Sequence, residues 1–448
     1  MIFFILFAVV AARNLKWAIY LLIFALPSYQ IRFNLGFLPC TVLEGMIVVV
    51  FIVWMIRMIR ETREDIKDIK DIKDIKYLIS FVVLFLLAAT IAIFTGPELQ
   101  AAAGIWKAYF LEPILFLMVI ISTLKKEDLK NVFMVFALSA LVMSILAIYQ
   151  KITGNLIANP FWATEATRRV TGVFSYPNAL ALYLAPVVVM LAGSLFARIM
   201  NYPPVGDPPP PDRKISNRTL GDELKIMNIL YKLLIGLSAV IGLCAVYFTK
   251  SKGALIGIFA GLVFYVLFYK NYRKYFLVAL VMAAAFGGFL IGNGRLDLKG
   301  AASVAGGDSV STRLEMWGES WQMLREKPLL GAGLSGYQAA VARYHSKKYI
   351  EIYLYPHNIF LNFWSEIGLL GLLGFLGVIG YFYCAGFKEK LSAASCQLTI
   401  VLMAGMTTFL VHGLVDVPYF KNDLSVLFWI LVGMMTVLNI RGKEVNKI

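Results

Sequence analysis

Long apolar runs recur from one end of the chain to the other, and they constrain the fold more than any motif. A bilayer core of about 30 Å is crossed by roughly 20 apolar residues in a helix. The runs fall at about 15–28, 42–60, 77–96, 101–122, 131–150, 177–198, 229–248, 253–270, 275–293, 358–386, 394–413 and 423–440. With 60% hydrophobic and 15% charged residues among 448, composition rules out a soluble globular domain. The expectation is an all-α polytopic membrane protein of about twelve transmembrane helices. The first twelve residues, MIFFILFAVVAA, lack a basic start and a cleavage site, so they are expected to be an interfacial or half-spanning lead-in rather than a signal peptide. The four cysteines, Cys40, Cys244, Cys384 and Cys396, form no metal or redox spacing.

Basic residues give the runs an orientation. One set of connections carries RNLK, RMIRETREDIKDIKDIKDIK, KKEDLK, the 199–228 loop, KNYRK, KEK and the tail RGKEVNKI. With Arg198 and Lys232 that set holds 26 Lys/Arg and 14 Asp/Glu, a net of +12 against +3 for the rest of the chain. Alternation through twelve spans then puts both termini in the cytoplasm, in a plasma (inner) membrane. The net charge of +15 follows from this topology and implies no nucleic acid. Two cytoplasmic segments stand out. Residues 65–76 are four Asp-Ile-Lys copies, whose i,i+3 and i,i+4 pairs suit a solvated helical spacer. The 199–228 loop contains a proline-rich linker.

Three regions follow: an N-terminal transmembrane part over 1–230, a core over 231–385, and a transmembrane hairpin with a tail over 386–448. The core holds a long extracytoplasmic loop, 294–356, and a loop of that length outside the membrane is expected to fold and to serve function. Ser311 or Thr312 is placed as an N-cap, with Leu314, Trp317, Trp321 and Leu324 on one face and Pro328 as the stop. A glycine-rich turn, GAGLSG, and a second short helix at about 336–346 come next.

Charge close to the bilayer is costly and asks for a reason. On the outer side lie Arg168, Arg169, Lys250, Lys252, Arg313, Arg343, His357, Asn358, Glu366, His412 and Asp416, with Asn178 at a helix start. Each has a structural alternative. The Arg168–Arg169 pair could anchor headgroups, the lysines could snorkel in a tight turn, and Arg313 could pair with Glu315 or Glu319. His412 and Asp416, four apart, could bond each other. Together the cations and a histidine suit an anionic lipid headgroup and a hydroxyl nucleophile. His357, between Pro356 and Asn358, is placed at a helix N-terminus, whose dipole favours the neutral, proton-accepting imidazole. Two other readings of the chain are a secondary transporter and a non-catalytic membrane protein.

Four stretches resemble the O-antigen ligase and polymerase superfamily of bacterial integral-membrane glycosyltransferases: RRVTGVFSYPNALALYLA, YFTKSKGALIGIFAGL, STRLEMWGESWQMLREKPLLGAGLSGY and HNIFLNFWSEIGLLGLLGF. The resemblance is strongest over about 235–380. It implies transfer of a glycan from an undecaprenyl-diphosphate carrier to a hydroxyl of a glycan, lipid-linked sugar or protein. Transfer would take place at the outer membrane face, without metal or cofactor and with inversion. Ligase, polymerase and protein O-glycosyltransferase differ only in acceptor; ligase is the broad label. By the resemblance, His357 activates the acceptor, and Arg313 with Arg169 (or Arg168) holds the diphosphate. Asn358 and Glu366 orient and support, and Lys250, Lys252, Arg343 and Asn178 are further candidate binding positions. The family's Ser-Arg-Gly-Ala segment has Lys252 here, which keeps the charge and loses the planar fork.

Overall fold

The computed structural model describes residues 2–36, 38–60, 72–196, 217–268, 274, 307–345, 351–388 and 393–441. The expected span at 275–293, the loop start at 294–306, most of the Asp-Ile-Lys repeat and most of the proline-rich loop lie outside them.

The described chain is a helical bundle. Helices α1 (Ile2–Arg13) and α2 (Leu15–Phe24) precede a small hairpin of β1 (Arg32–Leu35) and β2 (Leu38–Thr41). Then follow α3 (Val42–Arg60), α4 (Ile72–Thr95), α5 (Leu99–Thr123), α6 (Leu129–Thr153), α7 (Pro177–Ser194), α8 (Asn217–Phe248) and α9 (Lys252–Phe268). The C-terminal part holds α10 (Gly307–Glu326), α11 (Tyr337–Val341), α12 (Ile359–Lys388), α13 (Ala393–His412) and α14 (Asn422–Arg441). Eight helices are long and apolar enough to cross a membrane, and four apolar helices are shorter. The twelve expected spans are thus met in part.

The expected span at 15–28 differs from the structure. Asn14 accepts hydrogen bonds from the backbone of Lys16 (3.1 Å) and Trp17 (3.3 Å), capping α2 at its start, and after Phe24 the chain turns into a 3-10 helix over Leu26–Gln30. At 12 and 10 residues, α1 and α2 are about 18 and 15 Å long, short of a full crossing. Phe4 packs against Phe33 of β1, and Arg57 donates to the carbonyls of Ala11 and Ala12 at the far end of α1. Helix α1 therefore runs in the same direction as α3, and residue 2 is level with the hairpin. The sequence reading begins the chain at the opposite, basic end.

Two helices form the centre. The apolar windows of α7 and α14 are 89% buried, while every other long span is half buried or less. Helix α14 packs on α5, α12 and α13, and α7 packs on α8, α9 and α13. The α9–α13 contact is close because α9 carries Gly257 and Gly261. A Cβ at Gly261 would stand 2.0 Å from Thr408 Oγ1, so small residues let the backbones approach.

Helix α12 is broken at Gly368 (φ 70°), and the GAGLSG turn fills the break. Leu369 N donates to Leu329 O (3.0 Å), Ala332 N to Ser365 O (2.7 Å) and Leu334 N to Ala92 O of α4 (3.0 Å). A Cβ at Gly368 would lie 2.2 Å from Leu329 O, and one at Gly333 (φ 79°) 2.3 Å from Gly96 N. Glycine is required at both places by space and by backbone angle. The latch joins α10, α12 and α4.

In the 294–356 loop, α10 starts at Gly307, before the expected cap. Its buried face is Met316, Ser320, Met323 and Leu324; Leu314 and Trp321 are exposed. The stripe lies about one residue round from the expected one because serine and methionine, not tryptophan, face the latch. The second short helix is present as α11 with a turn of 3-10 helix after it.

Candidate active site

The loop between α13 and α14 is the seat of the site. Gly413 ends α13 closely packed: a Cβ there would be 2.8 Å from Ile359. The next three carbonyls all face the start of α12 or α10. Gly413 O accepts from Ile359 N (2.7 Å), Leu414 O from Asn358 Nδ2 (3.1 Å) and Val415 O from Arg313 Nε (3.0 Å). Asn358 in turn caps α12, accepting from Phe360 N (3.0 Å) and Leu361 N (3.1 Å).

His357 is placed just before that cap in a left-handed conformation (φ 48°). Such strain in a non-glycine residue is found where a side chain must be aimed. Its ring is held by Tyr353 edge-on at 5.5 Å, and the preceding carbonyl of Pro356 accepts from Trp317 Nε1 of α10 (2.8 Å). Nδ1 lies 3.3 Å from Asp416 Oδ1. With Nδ1 donating to the carboxylate, Nε2 is left as the acceptor, the form a general base needs.

Asp416 is the hub. It takes Val417 N on Oδ1 (2.9 Å) and Asn178 Nδ2 on Oδ2 (3.2 Å). Burial pushes its carboxyl up, but the His357 hydrogen bond and charge, His412 and the Val417 N–H outweigh burial and hold it at about 2. Asn178 also accepts from Arg169 Nη2 (2.9 Å), whose Nε donates to Thr249 O (2.7 Å) and whose guanidinium lies 4.9 Å from the Trp162 ring centre. Burial lowers the Arg169 pKa, so its hydrogen bonds and the indole face compensate its desolvation. A chain Arg169–Asn178–Asp416–His357 thus joins the α7 start, the α13–α14 loop and the α12 start.

The structure brings His357, Asn358, Asn178, Arg169, Arg313 and Asp416 together. Lys250 (φ 55°) and Lys252 are exposed in the α8–α9 turn beside Thr249, the anchor of Arg169. Arg168 is directed elsewhere, to the carbonyls of Ala163, Lys151 and Ile152, where it closes the C-terminus of α6. Arg343 pairs with Glu326 and lies on Tyr344, on the solvent side of the loop helices. Glu366 is buried and accepts from Ser335 N (2.8 Å), so it holds the GAGLSG latch rather than His357. One sequence alternative fails geometrically: His412 Nδ1 has no hydrogen-bond partner, so it does not bond Asp416. Glu319 lies 3.1 Å from His345 Nδ1. Lys421 was not singled out by sequence. Its only signal is a cation at the mouth of a helix, in the stretch DVPYFKN.

Residues 237–376 match the family model described as O-antigen ligase. No curated protein matches the chain. The matched region runs from α8 into α12 and includes Lys250, Lys252, Arg313, His357, Asn358 and Glu366; Arg169, Asn178 and Asp416 reach the site from outside it. Over residues 237–376 the chain is therefore similar to the O-antigen ligase family, and its eight long apolar helices suit an integral membrane protein.

Proposed function

We propose that the protein moves a glycan from an undecaprenyl-diphosphate carrier to an acceptor hydroxyl at the extracytoplasmic face of the plasma membrane, in the manner of a ligase. The observation that carries this reading is the His357–Asp416 pair, set at one end of the bundle and tied through Asn178 to Arg169. His357 Nε2 takes the proton of the acceptor hydroxyl while its oxygen attacks C1 of the donor sugar. The C1–oxygen bond to phosphate breaks, and its electron pair leaves with the lipid diphosphate. Asp416 fixes the imidazole tautomer and stabilises the imidazolium that forms. Arg313 and Arg169 supply positive potential where charge grows on the leaving group. The exposed lysines of the α8–α9 turn, next to the Thr249 carbonyl that holds Arg169, contact the same headgroup in this reading. Acceptor identity separates ligase from polymerase and protein glycosyltransferase.

The deciding experiment incubates the purified protein in lipid with undecaprenyl-diphosphate oligosaccharide and candidate acceptors. Release of undecaprenyl diphosphate and glycan transfer are followed with and without chelator, for the wild type and His357→Ala. Chelator-resistant transfer that His357→Ala loses supports the reading. Equal activity in the variant removes the general-base assignment.

A further inference from the structure

Lys421 lies in the α13–α14 loop, five residues after Asp416 and one before α14. Its ammonium stands 4.2 Å from the ring centre of Tyr176 and 5.9 Å from that of Tyr29. Tyr176 directly precedes Pro177 and Asn178, and Asn178 bonds Asp416, so the ammonium and the His357–Asp416 pair share one wall. The charged groups facing it are Asp416, Asp423 at the first turn of α14, and Arg32 on β1. Burial, with Arg32, lowers its pKa, and the two carboxylates offset only part of this.

The other cations around the site have donors committed to the protein. Arg169 is held by Thr249 O and Asn178, and Arg313 by Val415 O. Farther off, Lys107 is bound to Glu44 (3.1 Å). The three N–H groups of Lys421 have no hydrogen-bond acceptor and no ion-pair partner among the described residues; only tyrosine faces touch the ammonium. A half-buried ammonium with unspent donors is unfavourable unless an oxygen completes it. A charged donor of this kind favours an oxyanion over a neutral hydroxyl. A flexible lysine can leave the ring faces to meet such an oxygen, which a guanidinium fixed by two acceptors cannot.

We propose that Lys421 is a substrate-contacting residue that binds a phosphate oxygen of the donor's lipid diphosphate next to His357. The assignment rests on the transferase reading above and adds to it a residue outside the matched region. As the sugar–phosphate bond breaks, the electron pair moves to the diphosphate, and the Lys421 charge lies where it arrives.

The test uses the full chain in lipid nanodiscs with undecaprenyl diphosphate as the probe. Wild type and His357→Ala should bind it equally; Lys421→Met should bind it at least tenfold more weakly, and Lys421→Arg should recover most of that loss. In the wild type, undecaprenyl diphosphate should also protect Lys421 from an amine-acylating reagent, read by mass spectrometry. The protection measurement stands even if Lys421→Met does not fold. Unchanged binding in a folded Lys421→Met, or labelling that the probe leaves unchanged, overturns the Lys421 assignment and leaves the transferase reading intact. Absence of probe binding by both wild type and His357→Ala overturns the transferase reading, and the Lys421 assignment with it.

Discussion

Two buried aspartates, at opposite ends of the bundle, are treated in opposite ways. Asp128 is closed on itself: Lys16 Nζ lies 2.8 Å away, Tyr20 donates at 3.3 Å and Lys125 N at 2.8 Å. Its charge is cancelled within the fold, and the cluster fastens α2 to the start of α6. Asp416 has no lysine or arginine within ion-pair distance among the described residues. It is held by a histidine, an asparagine and a backbone N–H, while Arg169, Arg313 and Lys421 stand around it. A carboxylate neutralised directly is a fastener. A carboxylate that orients an imidazole, with cations around it, is what the proposed transfer reaction requires.

Substitutions at the two ends should separate along that line. The largest effect is expected for His357→Ala, a loss of roughly 10²–10⁴ in transfer rate with normal expression and thermal unfolding. Retained turnover would erase the distinction between the ends. Asp416→Asn keeps the shape but removes the charge that fixes the imidazole tautomer, so transfer should fall by up to about 10⁴-fold. A rate within twofold of wild type would reduce Asp416 to a fastener as well. At the other end, Asp128→Asn should leave transfer per folded molecule unchanged while costing about 1–3 kcal/mol of stability. An activity loss without a stability loss would contradict the comparison. Arg343→Ala, remote from His357 and exposed, should change transfer by less than about twofold, because exposed pairs contribute little.

Acid titration gives a further contrast. The Asp416 carboxyl is held at about 2 in the folded protein, below its ordinary 3.8. A depressed carboxyl stabilises the fold above about pH 4, and that contribution fades as pH falls toward 2. Unfolding monitored between pH 5 and pH 2 should therefore be steeper in wild type than in Asp416→Asn. Identical slopes would mean that Asp416 is not perturbed.

Much of this protein is written locally. Apolar run length and boundary residues such as Asn14 and Gly413 set where helices begin and stop. His357 and Asn358 stand out by residue type: a histidine is rare here, and asparagine before an apolar run caps a helix. The partners of His357 were less legible. Asp416 suggested His412 by its four-residue spacing, yet the α13 end turns at Gly413 and carries the carboxylate across to α12. Arg168 and Arg169 are adjacent and alike in sequence; only the position of the α6 C-terminus sends one to carbonyls and the other to Asn178. Glu366 stood out as a charge close to the bilayer in the stretch that carries the family resemblance. The break at Gly368 turns it to Ser335 instead.

By itself, then, the sequence determined the solvent this chain folds in, the order of its apolar helices and the family likeness of residues 237–376. Those properties follow from hydropathy and short-range patterns, which act over one or two helical turns. Tertiary structure alone decided that α7 and α14 form the centre, that α1 runs alongside α3, and which cations are tied to the loop that carries Asp416. Those outcomes depend on contacts between residues as far apart as Asn178 and Asp416, whose meeting is set by helix packing and by no local preference.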